Sequence, residues 1–67
     1  ESRISKKTIE LRLDPSLANK EVEIYIGNRF IMTARANNVG VVKIKKRKKI
    51  GKQIVDGINQ ERIRVLV

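Results

Sequence analysis

Apolar and polar residues alternate over most of this chain. Ile9, Leu11 and Leu13 are interleaved with Thr8, Glu10 and Arg12, and a period of two predicts a strand with one dry face. Asp14-Pro15-Ser16 ends it, because proline cannot donate to a ladder, and Leu17 is placed to tuck back as an anchor. Val22, Ile24 and Ile26 alternate with Glu21, Glu23 and Tyr25 in a second strand. Gly27-Asn28 then reads as a two-residue hairpin turn. The third strand is expected over Arg29–Ala36, with Phe30, Met32 and Ala34 inward and Arg29, Ile31, Thr33 and Arg35 outward. After a turn through Asn37, Asn38 and Gly40, Val42 and Ile44 face inward in a fourth strand, and Val41, Lys43 and Lys45 face outward.

The period then changes. Ile50, Ile54 and Ile58 fall on one helical stripe, widened by Val55. Gly51 and Gly57 weaken such a helix by about 1 kcal/mol each relative to Ala, and Gly57 could equally mark its C-terminal end. Asn59-Gln60 leads to a last alternating strand with Ile63, Val65 and Val67 on one face and Arg62, Arg64 and Leu66 on the other. Residues 1–7 carry no period and read as a linker or frayed end. The fold class is α+β: a small antiparallel β-meander of about five strands, with one amphipathic helix packed on one face. Residues 8–67 make one small basic domain.

Composition narrows the chemistry. With 67 residues the chain is one domain, and a domain so small buries only about 60% of its unfolded surface. It has no Cys and no His, which removes disulfides, thiolate zinc and the usual acid–base group near neutral pH. The Ser and Thr residues have no such base to activate them. Glu21 and Glu23 share a strand face, and read as a solvent-side pair answering nearby Lys or Arg rather than as an acid–base couple. No G-x-x-x-x-G-K-[ST] loop is present: Lys49-Ile50-Gly51-Lys52 lacks the spacing and the hydroxyl. A G-x-x-G loop is missing too. Neither a catalytic site nor a cofactor or metal is expected. No apolar run approaches the roughly 20 residues of a membrane span, so the expected setting is soluble and cytoplasmic. The first residue is Glu1, not Met, which suggests a domain excised from something longer. Charged residues make up 34% of the chain and its apolar residues are mostly Ile, Val and Leu, a thermophile tendency.

The formal net charge is +9, and its placement matters more than its size. Residues 43–52 read KIKKRKKIGK, with seven basic residues (Lys43, Lys45, Lys46, Arg47, Lys48, Lys49 and Lys52) and no acid. Elsewhere nine basic residues are nearly balanced by seven acidic ones. Such a run attracts polyanions and has the footprint of phosphate binding. It would also suit a solvated face, an acidic partner or an anionic surface. The run feeds a helix start near Lys48–Ile50, where free N–H groups and the helix dipole favour anions. Arg29, Arg35, Arg62 and Arg64 extend the surface if their strands are neighbours. Tyr25, on the wet face, could stack one base, while Phe30 is expected in the core. The function that fits is a nucleic-acid-binding accessory domain. The alternative is a protein-interaction or oligomerisation module, since Ile31, Val41 and Leu66 are expected outward.

The stretch EVEIYIGNRFIMTARANNVGVVKIKK, followed by KIGKQIVDGINQERIRVLV, resembles the C-terminal tail of archaeal ATPases that carry an N-terminal PIN domain. The residues that fit are Val22, Ile24, Tyr25, Gly27, Ala34, Ile50, Gly51, Lys52, Ile54 and Ile58, within a match over about residues 8–67. The resemblance implies a ring-forming P-loop ATPase linked to DNA-junction processing as the parent, with PIN, ATPase and K-homology parts upstream. None of their signature residues is in this chain. The charge pattern serves DNA and RNA alike, and the resemblance favours DNA.

Overall fold

The computed structural model describes residues 2–67. Glu1, part of the expected linker, lies outside the described residues. The elements are β1 (Ser2–Ile4), β2 (Thr8–Arg12), a 3-10 turn (Pro15–Leu17), β3 (Glu21–Ile26), β4 (Arg29–Arg35), β5 (Val41–Lys45), α1 (Lys49–Asn59) and β6 (Ile63–Leu66). The fold is small and α+β, as the patterning predicts.

The strands do not form one meander. They divide into two antiparallel three-stranded sheets, ordered β1-β2-β5 and β4-β3-β6. The second and third predicted strands pair as the Gly27-Asn28 hairpin requires, but β5 pairs with β2 and β6 with β3. Gly27 has φ +61, at the first of two turn residues, which suits a twisted hairpin.

Residues 2–4 correct the linker expectation. They form β1, paired Ser2↔Leu11, Arg3↔Glu10 and Ile4↔Ile9. All three are exposed, so no period marks them, and the strand is held by its ladder rather than by burial.

Ile9, Leu11, Val42 and Ile44 from the first sheet, Val22 and Ile24 from the second, Ala36, and Ile54 of α1 form one core. Ile9, Ile24 and Ile54 are fully buried. The helix faces inward through Gly51, Ile54 and Gly57. Ile50, expected on that stripe, is exposed, because Gly51 takes the inward position of the first turn. At the other end Glu61 N donates to Ile58 O (3.0 Å) and Arg62 N to Gly57 O (2.8 Å), with Glu61 at φ 55. This Schellman closure spends the last carbonyls and turns the chain into β6.

Phe30 lies outside the core. Pairing runs Glu21↔Arg35 to Ile24↔Met32 and then shifts by one, to Tyr25↔Phe30 and Ile26↔Arg29. Ile31 is the extra residue of this bulge. A one-residue shift exchanges the faces: Ile31, expected outward, packs against the core, and Phe30, expected inward, is 50% exposed.

Candidate nucleic-acid interface

β5 delivers the first cations. Val42 and Ile44 are buried, so Lys43 and Lys45 must stand on the opposite, exposed face. Lys46, Arg47 and Lys48 then join β5 to α1, with Lys48 as the N-cap in extended conformation (φ −74, ψ 154). No side chain caps this end, and its first turn holds no acidic residue. The first-turn amides and the positive end of the helix dipole therefore stand beside Lys48, Lys49 and Lys52, an arrangement that raises the local affinity for an anion.

Gly51 sets how tightly this corner closes. A Cβ at Gly51 would lie 2.6 Å from Lys45 O and 2.8 Å from Lys46 O, closer than real atoms approach. The first turn of α1 is pressed onto the end of β5, and only a residue without a side chain fits between them.

The turn between β1 and β2 adds cations that have no local signal in the sequence. Ser5 N donates to Thr8 O (2.9 Å), and Ser5 Oγ donates to the same carbonyl (3.0 Å). This leaves Lys6 and Lys7 at the exposed tip. Lys46 N donates to Lys7 O (3.0 Å). Lys46 Nζ reaches Ser5 O (3.4 Å) across 41 residues of sequence, so part of the basic run anchors this turn. Lys7, Thr8, Lys45 and Arg47 line one shallow cleft: three cations around a hydroxyl. On the same sheet Glu10 has Arg3 as its cross-strand partner on one side and Lys43 on the other.

The four arginines named with the run belong elsewhere. Arg29 and Arg35 are on β4, Arg64 is on β6 and Arg62 precedes it. Arg35 pairs with Glu21 and Arg64 with Tyr25. Arg29 lines a separate shallow cleft with Gln53, Asp56 and Gln60. The Arg62 guanidinium lies over Gly27, where a Cβ would be 2.8 Å from Nη2. β4 and β6 both neighbour β3 but not one another.

Tyr25 is on the outer face, half-buried, and donates its hydroxyl to Glu23 Oε1 (3.2 Å). Desolvation, then the hydrogen bond to Glu23 and its charge, raise the phenol above its ordinary pKa, against the pull of Arg64. Phe30 packs edge-on beside it, with ring centroids 5.6 Å apart and planes at 75°. Among the described residues no group of three or more His, Cys, Asp or Glu could hold a metal ion, and no helix is long and apolar enough to cross a membrane.

Compared with family models, with curated proteins and with solved structures, the chain has no match in any of the three.

Proposed function

We propose that this chain is a nucleic-acid-binding accessory domain that grips the phosphate backbone through Lys43, Lys45, Lys46, Arg47, Lys48, Lys49 and Lys52. One observation carries the reading: the β1–β2 turn docks on the basic run, so that Lys7, Lys45 and Arg47 surround one cleft, and the run continues from Arg47 into an uncapped helix start. A solvated basic tail needs no such docking, whereas a phosphate ligand benefits from cations held in place. In this reading the domain works in the cytoplasm as the C-terminal module of an archaeal PIN-domain ATPase and acts on DNA. The chain would catalyse nothing itself and would take its work from the parent.

The test is binding of labelled duplex, single-stranded and four-way-junction DNA, and of RNA, at two salt concentrations. If some five phosphates are neutralised, affinity falls by about 10²–10³-fold between 50 and 200 mM salt. Changing Lys45, Lys46, Arg47, Lys48 and Lys49 together to Ala removes most of that affinity and flattens the salt dependence. Affinity indifferent to salt sinks the phosphate mechanism.

A protein-interaction or oligomerisation role is favoured by a different observation. Val39 (60%), Leu66 (42%) and Val67 (76%) are exposed apolar side chains. Sedimentation as a strict monomer at high concentration removes self-association.

A further inference from the structure

We infer that the outer face of the β4-β3-β6 sheet is a stacking site for an unpaired nucleobase, with Phe30 and Tyr25 as its platform and Arg64 as its cation. The inference deepens the nucleic-acid reading and rests on it, because it names single-stranded nucleic acid as the ligand of a second surface.

The bulge at Ile31 is the starting observation. Without it, the alternation of β4 would bury Phe30. With it, the chain's only Phe is brought 5.6 Å from its only Tyr and left half in water. Exposing an aromatic ring forgoes a large burial gain, and a core role cannot account for the arrangement. Phe30, half exposed and edge-on to Tyr25, offers apolar ring surface to a third aromatic plane. Arg64 is the cross-strand partner of Tyr25. Its guanidinium can bind a phosphate or stack on a base. Arg62 lies over the hairpin turn at the same end of the sheet. This face also holds two carboxylates, Glu21 and Glu23. Glu21 pairs with Arg35 at the far end of β3, and Glu23 accepts the Tyr25 hydroxyl, fixing the ring. Single-strand binding surfaces combine these two parts, aromatic planes and flanking cations. A paired duplex offers no free base face, so the site discriminates by strandedness rather than by sequence.

The chain carries its own reporter, since Tyr25 is the sole Tyr and there is no Trp. The experiment follows Tyr25 fluorescence while oligothymidylate or a duplex of equal phosphate number is added to the chain. The expected result is quenching by the single strand and not by the duplex. Phe30→Ala should lower single-strand affinity by about tenfold and leave duplex affinity unchanged. Phe30→Leu, which keeps an apolar side chain at this site, should lose the same affinity, and far-UV circular dichroism verifies that both variants fold. Equal Tyr25 responses to both ligands, or Phe30 variants that bind the single strand like the parent chain, overturn the stacking site and leave phosphate gripping intact. Absence of binding to either ligand at low salt overturns both together.

Discussion

The two sheets of this domain solve different problems. The β1-β2-β5 sheet keeps strict alternation, buries Ile9, Leu11, Val42 and Ile44, and presents cations from β5 and the β1–β2 turn. The β4-β3-β6 sheet breaks its alternation at Ile31 and presents two aromatic rings. The first surface has dense charge and little shape, suited to a backbone of any sequence. The second has shape and sparser charge, suited to a base face. One core serves both, and Ile54 of α1 is buried against it. On the proposed reading, one core would support two kinds of contact, with the bulge at Ile31 re-aiming one strand.

The two glycines of α1 sharpen the contrast, and they carry the largest expected effect. Gly51 abuts backbone at the end of β5, whereas Gly57 abuts the Ile26 and Ile63 side chains of the other sheet. Side chains can shift and backbone cannot. Gly51→Ala should therefore cost about 2 kcal/mol in urea unfolding, although Ala at an open helix position gains about 1 kcal/mol. Gly57→Ala should cost less, because a Cβ 2.9 Å from Ile63 Cδ1 can be relieved by rotation of that side chain. Equal losses would erase the distinction between the two contacts.

Next in size is Lys7→Ala, which removes one cation from the cleft of the first sheet. The slope of log affinity against log salt should become shallower by about 0.9 for duplex DNA and about 0.7 for a single strand. Single-strand preference should not change, because a phosphate contact carries no information about pairing. An unchanged slope would place Lys7 outside the interface.

Smallest is Glu23→Gln on the second sheet. Removing the carboxylate charge beside Tyr25 should raise single-strand affinity by about twofold and leave duplex affinity alone. It should also bring the phenol back toward its ordinary pKa, since Glu23 helps to raise it. The sign follows from the neutral hydroxyl being the favoured form in the fold. Its contribution is present at neutral pH and lost as pH rises through the elevated pKa, and the Gln variant loses it earlier. An alkaline absorbance titration reads this shift directly.

These contrasts also mark what the sequence could show. Period two at Ile9/Leu11, Val22/Ile24 and Val42/Ile44 located the strands, and Ile54 and Ile58 located the helix, because burial imposes those spacings locally. The division into two sheets was not legible, since β2–β5 and β3–β6 pairing is decided between distant segments. β1 leaves no signal in the spacing because Ser2, Arg3 and Ile4 are all exposed. Strict alternation points Phe30 inward, because a bulge leaves no mark in hydrophobic spacing. For the candidate site, the run from Lys43 to Lys52 was plain in composition. Lys7 joins it through the Thr8↔Lys45 register and the Lys46 hydrogen bonds to Lys7 O and Ser5 O, which no local pattern encodes.

Each sheet ends in two strands with one open flank, β1 and β5 in one and β4 and β6 in the other. Each of these four carries at least one Lys or Arg: Arg3, Lys43 and Lys45, Arg29 and Arg35, and Arg64. Repulsion between like-charged flanks opposes the edge-to-edge joining that open strands invite. A polyanion that neutralises these charges would also weaken the repulsion. On the proposed reading, copies lying side by side on one long strand would then be freer to join than copies in dilute solution.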